Sequence, residues 1–278
     1  MIHFELSADA DNYCVIGDPV THSKSPQIHS MFAEQCGQRL HYQAITLASS
    51  EFEEGVLAMQ QQGMKGLNVT LPHKGRACSW VQERSQRAEY AAAVNTIWFD
   101  EKGIAHGDNT DGAGLVNDLL ANRIELGGKR LLILGAGGAV RGILQPLFQA
   151  GLSSVIIANR TQARAQELKA RFDELGSIEV RGYAELGGED VDLVINGTSS
   201  SLEQEVPPVP AALVRDAHCY DLAYADADTA FVSWAREHGA QSARDGLGML
   251  VRQAAESFFI WRQQRPEVEP VLSALRKN

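Results

Sequence analysis

The sequence predicts an α/β protein with two domains, the second of which is a doubly wound parallel sheet. Short β-branched or apolar runs alternate with helical patterns along almost the whole chain, which is typical of this class. The chain has 278 residues, more than the roughly 100–200 residues of a usual single domain. A turn rich in Gly, Asn and Asp ends at Gly112, and a fresh strand–glycine loop–helix pattern follows it.

The predicted strands are short, apolar and bounded by turn residues. In chain order they are Tyr13–Ile16, His41–Thr46, Gly66–Val69, Val94–Phe99, Arg130–Leu134, Val155–Ala158, Ile178–Val180, Leu193–Asn196 and Cys219–Leu222. The predicted helices are Pro26–Cys36, Phe52–Gln61, Ala139–Ala150, Ala163–Leu175, Thr229–His238 and a last helix after Gly246 that runs through Trp261. Strands that alternate with helices are expected to pair in parallel sheets.

The last helix decides the domain boundaries. It has no strand of its own to pack on after Ala243, so we expect it to return to the first domain. The first domain is then 1–111 plus 247–278, with the second domain, 112–246, inserted into it.

Composition excludes several classes of protein. The formal net charge is −10 and no Lys/Arg-rich run occurs, which argues against nucleic-acid binding. The four cysteines contain no C-x-x-C pair and the eight histidines no H-x-x-x-H pair, so we expect neither disulfides nor a metal. Without a signal-peptide pattern or a membrane-length apolar run, the sequence predicts a soluble, cytoplasmic protein.

A glycine-rich loop follows the strand Arg130–Leu134 and precedes a helix. The loop residues are Gly135, Ala136, Gly137, Gly138 and Ala139. Glycines in this context let the backbone approach a pyrophosphate at the helix N-terminus, so the loop predicts a Rossmann-type dinucleotide site. The alternative interpretation is an ordinary Gly-rich β–α turn.

The end of the next strand indicates which dinucleotide binds. An NAD site would place Asp or Glu here, but the chain has Asn159, Arg160 and Thr161, with Arg164 one helical turn later. Guanidinium groups form forked, charge-assisted hydrogen bonds to phosphate. We therefore predict NADP as cofactor, the alternative being a solvated helix start with Thr161 as a simple N-cap.

Four segments of the first domain place small polar residues beside strand ends. Ser23 and Ser25 precede a helix, where Ser25 before Pro26 fits an N-cap and both hydroxyls could hold a carboxylate. Thr70 and Lys74 flank a strand–helix junction, although a lone lysine is usually a solvated charge.

The other two segments contain an amide and a carboxylate. Asn95 lies inside an apolar run, so it is either a structural clamp or a ligand contact. Asp111 ends the turn Gly107–Gly112 and could be only the N-cap of the following helix.

These segments, in this order, resemble the shikimate dehydrogenase family. The likeness continues through Asn159-Arg160-Thr161, Asn196-Gly197-Thr198-Ser199, Tyr220-Asp221-Leu222-Ala223-Tyr224 and Asp245-Gly246-Leu247-Gly248-Met249. It implies reversible reduction of 3-dehydroshikimate to shikimate by NADPH, in two α/β domains with a cleft between them. Because the glycine loop and Lys74 belong to different predicted domains, we expect these domains to close over the ligands by a hinge near Gly112 and Gly246.

The resemblance also implies roles for individual residues. Lys74 is implied as the acid/base residue and Asp111 as its partner, which also binds substrate. The other implied substrate contacts are Ser23, Ser25, Thr70, Asn95, Tyr224 and Gln253, and the implied contacts near the nicotinamide are Leu222, Gly246 and Met249.

Three positions depart from the family pattern, and they bear on local cofactor contacts. His73 stands where an aromatic residue is more common, Ala223 where a bulkier residue is common, and Gln86 where an acidic residue is common. The alternatives are a dual-specificity quinate/shikimate dehydrogenase and a silent NADP-binding regulator, which would be expected to lack Lys74 or Asp111. The enzyme is expected to be a monomer or homodimer.

Overall fold

The computed structural model describes residues 4–277, apart from the side chain of Leu202. The chain forms two compact units: the residues up to Thr110 together with Val251–Lys277, and Asp111–Leu250. The chain passes from the first unit to the second between Thr110 and Asp111, and returns between Leu250 and Val251. The sequence-based boundaries lie one residue later for the first passage and four residues earlier for the second.

The described residues contain strands and helices in alternation. The strands are β1 (Asp11–Gly17), β2 (Leu40–Thr46), β3 (Gly66–Val69), β4 (Glu83–Arg84), β5 (Thr96–Phe99), β6 (Ala105–Asp108), β7 (Arg130–Leu134), β8 (Ser154–Ala158), β9 (Ser177–Arg181), β10 (Leu193–Asn196), β11 (His218–Asp221) and β12 (Ser242–Arg244). The helices are α1 (Ser25–Gln35), α2 (Phe52–Gln61), α3 (Lys74–Trp80), α4 (Gln86–Ala91), α5 (Asp111–Ala121), α6 (Gly138–Gln149), α7 (Gln162–Phe172), α8 (Ala230–Glu237), α9 (Leu247–Arg262) and α10 (Val268–Leu275).

The sheet of the first unit is mixed. Its order is β2-β1-β3-β5-β6-β4; β1 is parallel to β2 and β3, whereas β5 is antiparallel to both β3 and β6. The expectation of parallel pairing is therefore wrong for β5, whereas the pairs β1–β2, β1–β3 and β4–β6 are parallel. The reason is local: β5 and β6 are joined by a short turn through Gly103 at φ +78°, and a short connection permits only antiparallel pairing.

The sheet of the second unit is entirely parallel, as predicted. Its order is β12-β11-β10-β7-β8-β9, which is the 3-2-1-4-5-6 order of a doubly wound Rossmann sheet when β7 is counted first. The order reverses between β7 and β10, and dinucleotides bind at such a reversal, outside the carboxyl ends of the strands.

Each unit has its own apolar core. The first is built around Ile16, Phe52, Leu67 and Ile97, and the second around Leu132, Val194 and Phe231. All four residues of β3 and all four of β10 are buried, as is typical of strands that are covered on both faces.

The elements that sequence patterns did not predict are short or polar: β4, β6, β12, α4 and α10. β6 reads Ala-His-Gly-Asp, a composition with little β propensity. No helix among residues 4–277 is long and apolar enough to cross a membrane, and these residues contain no cluster of three or more potential metal ligands.

Candidate active site

The first sheet brings the four polar segments to one edge. β1 and β3 are parallel neighbours, so the segments after Gly17 and Val69 leave the sheet on the same side. β5 runs the opposite way, and its first residue, Thr96, pairs with Asn68 and with Asp108. The segments that carry Ser23, Thr70, Asn95 and the turn after Asp108 therefore converge there, the first two from the carboxyl ends of parallel strands and the others from the antiparallel pair β5–β6.

The two serines differ from the predicted cap arrangement. Helix α1 begins at Ser25 with Lys24 in the N-cap position, so the assignment of Ser25 as N-cap is wrong by one residue. The hydroxyl of Ser23 accepts the backbone N–H of Ser25 at 3.2 Å. Ser23 therefore assists the helix start, while Ser25 is buried.

Thr70 and Lys74 follow β3 through a tight crossing. A Cβ atom on Gly17 would lie 2.5 Å from Thr70 Cγ2 and 3.0 Å from the Leu71 carbonyl oxygen, so only glycine lets the two chain segments pass. Helix α3 begins at Lys74, whose backbone carbonyl accepts the N–H of Val94 at 2.9 Å. Lys74 is half-buried.

His73, which stands where the family pattern more often has an aromatic residue, is a buried polar side chain. It is 1% exposed, its ring lies 5.3 Å from that of Phe52, and its Nε2 is 2.6 Å from the Leu47 carbonyl oxygen. A carbonyl oxygen only accepts, so Nε2 carries the proton. The departure at His73 is thus accommodated by packing and one hydrogen bond, in the core of the first unit.

Asn95 is a clamp for its neighbours. Its Oδ1 accepts the backbone N–H of Thr110 at 2.9 Å and the hydroxyl of Thr96 at 2.8 Å. Its Nδ2 donates to Thr110 Oγ1 at 2.9 Å and to Gln253 Oε1 at 3.2 Å. Because Oε1 of Gln253 points to this cluster, its Nε2 N–H groups point elsewhere.

A second amide, Asn68, connects this cluster to the interior. Its Nδ2 contacts the Asn95 carbonyl oxygen, Thr96 Oγ1 and Ser257 Oγ at 3.0–3.3 Å. Its Oδ1 accepts the Tyr42 hydroxyl at 2.7 Å and lies 3.1 Å from His29 Nε2. Buried amides need such partners, and here they link β2, β3, β5 and α9.

Burial controls the ionisation of the two rings beside Asn68. His29 and Tyr42 stack with ring centroids 4.3 Å apart. Burial lowers the pKa of His29 to about 3, against a hydrogen bond with Asn68 that favours the charged form. Burial, with the Cys14 thiol, raises the pKa of Tyr42 well above its ordinary value, although a hydrogen bond with Ser25 opposes this.

The turn that leads to Asp111 is held by an ion pair. Asp108 accepts two hydrogen bonds from the Arg87 guanidinium at 2.7 Å, one from Ser85 at 2.5 Å and one from the Asn109 backbone at 2.6 Å. Burial disfavours the charge on Arg87, but Asp108 outweighs it and the pKa of Arg87 is raised. Helix α5 then begins at Asp111, which is buried and helical and so is not an N-cap.

The glycine loop of the second unit offers open backbone at a helix start. Gly137, Gly138 and Ala139 are exposed, and a Cβ atom on Gly137 or Gly138 would meet nothing within 4 Å. Helix α6 has no side-chain cap at Gly137, so its first N–H groups are presented to an incoming anion. This arrangement fits a pyrophosphate.

The loop after β8 presents two arginines. Arg160, Thr161 and Arg164 are exposed and Asn159 is half-buried. Thr161 occupies the N-cap position of α7 but makes no side-chain cap hydrogen bond; instead Asn159 Nδ2 donates to the Thr161 carbonyl at 2.8 Å. Thr161 is therefore at the predicted N-cap position, but its hydroxyl does not make the hydrogen bond of a capping side chain.

Backbone segments also cross closely in the second unit, at Gly135 and Gly246. Gly135, at φ +106°, would bring a Cβ atom to 3.0 Å from the Gly197 carbonyl, and a Cβ on Gly246 would lie 2.3 Å from the Leu222 carbonyl oxygen. The loops after β7, β10 and β11 and the segment before α9 are therefore in direct contact at these glycines. Met249 and Tyr224 are half-buried, and burial raises the pKa of Tyr224.

Asp221 fixes two of these loops. It is fully buried and accepts hydrogen bonds from Ser201 at 2.5 Å, Thr229 at 2.6 Å, the Ala223 backbone at 3.1 Å and Asn196 at 3.2 Å. Burial nevertheless raises its pKa. Asn196 in turn accepts the hydroxyl and backbone N–H of Thr198.

The predicted residues divide between the units. Ser23, Ser25, Thr70, Lys74, Asn95 and Gln253 belong to the first unit, whereas Asp111, Tyr224 and every predicted cofactor residue belong to the second. Sequence reasoning missed Asn68, Thr110, Ser257 and Asp221. The available signal was a polar residue inside an apolar strand, as at Asn68 in β3 and Asp221 in β11.

Family models match three parts of the chain. The shikimate dehydrogenase substrate binding domain matches residues 15–97. The shikimate / quinate 5-dehydrogenase model matches residues 118–204, and the shikimate 5′-dehydrogenase C-terminal domain matches residues 246–276.

Relatives match over nearly the whole length. A protein of Cellvibrio japonicus (strain Ueda107) named shikimate dehydrogenase (NADP(+)) is 50% identical over 269 residues, which is 96% of this chain and 98% of the relative. Among solved structures, an Ael1 enzyme from Pseudomonas putida has a TM-score of 0.92 at 43% identity and covers 96% of this chain and 98% of its own.

A more distant structure has the same fold. Shikimate 5-dehydrogenase from Thermus thermophilus, in complex with NADP(H) and shikimate, has a TM-score of 0.86 at 30% identity, covering 96% of this chain and 99% of its own. Full-length identity of 50% to a named relative, together with the matching models over both units, establishes that this chain belongs to the shikimate dehydrogenase family.

Proposed function

We propose that the protein catalyses the reversible, NADPH-dependent reduction of 3-dehydroshikimate to shikimate, the step implied by the names of its relatives. The observation that carries the proposal is the common edge of the first sheet. A lysine, three hydroxyl side chains and two amides reach that edge from segments that are far apart in sequence. This set of groups suits a small ring acid with several hydroxyl groups.

Lys74 is assigned as the acid/base residue. NADPH, when bound, supplies the hydride for the carbonyl carbon of 3-dehydroshikimate. Negative charge then develops on the carbonyl oxygen, and the Lys74 ammonium donates a proton to it, which gives the hydroxyl of shikimate. In the reverse direction the neutral amine of Lys74 accepts that proton. Asp111 is assigned to the ring hydroxyls of the substrate.

The remaining substrate contacts follow the chemistry of each side chain. Ser23 and Ser25 can donate hydroxyl hydrogen bonds to the carboxylate of shikimate. Thr70, Asn95 and Tyr224 are assigned to the ring. Gln253 is assigned there as a donor, because its Oε1 already accepts from Asn95 and Thr110.

The cofactor contacts lie in the second unit, which we assign as the NADP-binding domain; the first unit is assigned as the substrate domain. Gly135, Ala136, Gly137, Gly138 and Ala139 would receive the pyrophosphate at the start of α6. The groups for the 2′-phosphate are Asn159, Arg160, Thr161 and Arg164, and those for the nicotinamide end are Leu222, Gly246 and Met249.

We place the enzyme in the cytoplasm, as a monomer or a homodimer. All four cysteines are free thiols, which suits a reducing compartment.

A turnover assay tests the proposal. Purified protein given shikimate and NADP should form NADPH, which is measured by its absorbance. The same assay is run in parallel with quinate. We expect kcat/KM for shikimate to exceed that for quinate by at least about tenfold, since a pocket that uses shape alone rejects an added hydroxyl by up to about 10²-fold. Comparable values would mean dual specificity. NADP binding without turnover would contradict the proposal and favour a regulator.

A further inference from the structure

Helix α5 is tied to the cofactor side of the second unit at two points, and the first is Gly112. A Cβ atom on Gly112 would lie 2.6 Å from Pro146 Cγ and 2.7 Å from the Gly142 carbonyl oxygen, both in α6. The backbones of α5 and α6 therefore touch where α5 begins. Because α6 starts at the glycine loop, Asp111 is held in a fixed relation to that loop.

The second point is Asp118, about two turns further along the same helix. Its carboxylate is 3% exposed and lies against the first turn of α9. A Cβ atom on Gly248 would fall 2.2–2.3 Å from the carboxyl carbon and both oxygens. Only glycine at this position leaves room for the carboxylate.

Tyr220 completes the connection. Its hydroxyl donates to Asp118 Oδ2 at 2.9 Å and accepts the backbone N–H of Met249 at 3.2 Å. The ring is fully buried. Burial and the Asp118 charge raise the pKa of Tyr220 well above its ordinary value, so the hydroxyl remains protonated and keeps donating to the carboxylate.

The connection joins three elements with proposed roles in the reaction. α5 begins with Asp111, β11 continues into Leu222, and the first turn of α9 contains Met249. We propose that Asp118 and Tyr220 are positioning residues for hydride transfer, which hold the segment Gly246–Met249 against the helix that carries Asp111. The inference rests on the proposed function, from which it takes the roles of Asp111, Gly246 and Met249.

Positioning and folding can be separated because they change different quantities. A loosened segment lowers the rate constant of hydride transfer in every folded molecule, since a displacement of about 1 Å can cost up to about 10²-fold in rate. A purely structural role lowers the fraction of folded molecules and leaves that rate constant unchanged.

The test is single-turnover stopped flow with saturating NADP and shikimate. Tyr220→Phe removes one oxygen and keeps the ring; we expect its rate constant for NADPH formation to fall about tenfold with the amplitude retained. Asp118→Asn should also lower this rate constant. In equilibrium titrations, NADPH should bind Tyr220→Phe about threefold more weakly, while 2′,5′-ADP, which lacks the nicotinamide half, should bind as it does to the parent.

Ser242→Ala is the matched control. It removes a hydroxyl that pairs with His218 Nδ1 at 2.8 Å, at the opposite end of β11, and its rate constant should equal that of the parent. If Asp118→Asn does not fold, Tyr220→Phe decides. The proposal is overturned if Tyr220→Phe forms NADPH with the same rate constant as the parent protein and has the same ratio of NADPH to 2′,5′-ADP affinity, whatever its melting temperature. A parent protein that does not reduce NADP with shikimate contradicts the proposed function instead.

Discussion

The buried network around Asn95 in the first unit and the glycine loop after β7 in the second unit are built in different ways. At the edge of the first sheet, buried side chains hold one another: Asn95 is 2% exposed and bonds to Thr96, Thr110 and Gln253. At the glycine loop after β7 in the second sheet, the backbone is open instead: Gly137 and Gly138 are exposed, and a Cβ atom on either would meet nothing within 4 Å.

The difference follows from the ligands that each edge is proposed to bind. A ring with several hydroxyl groups is recognised by directional donors and acceptors, and these must be fixed before it arrives, because ordering side chains afterwards costs binding free energy. A dianionic phosphate is recognised by charge and by N–H groups. Such a site needs close approach of the backbone and exposed guanidinium groups, as at Arg160 and Arg164.

The largest effect is expected at Lys74. Lys74→Ala should lower kcat by about 10²–10⁴-fold, the usual contribution of a general acid/base, with a much smaller rise in KM because the proton donor acts mainly in the transition state. Steady-state kinetics on the folded variant would measure this, with the exposed Lys65 changed to Ala as control. A near-normal kcat would remove Lys74 from the mechanism.

The arginines after β8 should decide which cofactor binds. Changing both Arg160 and Arg164 to Gln should weaken NADP by about tenfold or more for each arginine, the usual worth of a charge-assisted hydrogen bond, and leave NAD nearly unchanged. Lys169→Gln, in the last turn of the same helix, is the control. Equal losses of NAD and NADP affinity would show that the arginines support the fold.

Substitutions at two glycines of the loop after β7 should separate an effect on stability from an effect on NADPH binding. Gly135→Ala introduces a side chain at φ +106° and at 3.0 Å from Gly197, so it should cost at least about 2 kcal/mol of unfolding free energy. Gly137→Ala should stay within about 0.5 kcal/mol of the parent, yet weaken NADPH binding. Urea unfolding and NADPH fluorescence would measure the pair; equal stability of the two variants would contradict the assignment.

Acid should destabilise the network of the first unit through His29. The pKa of His29 is lowered to about 3 in the folded protein, so the unfolded chain binds a proton below about pH 6.5 that the folded chain does not. Stability from this group is complete above pH 6.5 and declines as the pH falls toward 3, by about 2 kcal/mol between pH 7 and 5. Urea unfolding at several pH values, with His29→Gln for comparison, measures it; an equal slope in both proteins would refute it.

The smallest effect is expected at Ser23. Ser23→Ala should raise KM for shikimate by about three- to tenfold, as for loss of one hydrogen bond, and leave the Kd of NADPH unchanged. Thr21→Ala, a nearby exposed hydroxyl, is the control. A change in melting temperature alone would mean that the Ser23 hydroxyl serves only the N–H of Ser25.

Sequence patterns predicted the second unit better than the first, for a physical reason. Its central strands β7 and β10 are almost entirely buried, and so they read as mainly apolar runs such as Leu193–Asn196. In the first unit, β6 contains His, Gly and Asp and pairs through a hairpin. Neither its strand character nor its antiparallel direction is visible in its composition.

Individual site residues could be predicted, but their connections could not. Asn95 stands out as an amide in an apolar run, yet nothing in its neighbourhood points to Gln253, 158 residues away. The predicted strand Gly66–Val69 contains Asn68, but nothing near it points to Ser257, its hydrogen-bond partner 189 residues away. Such pairs depend on the sheet register and on the return of α9, which only the three-dimensional structure defines.

The return of the chain in α9 has a consequence for synthesis. The ribosome delivers β1 to β6 first, then the whole of the second unit, and only at the end Gln253 and Ser257. Until then Asn68 and Thr96 lack Ser257, their partner at 3.0 Å and 2.7 Å, and an unmatched buried amide is costly. The domain made first is therefore finished last, so a nascent chain or a truncated product ending at Leu250 can complete its Rossmann sheet but lacks the α9 side chains of the proposed substrate site.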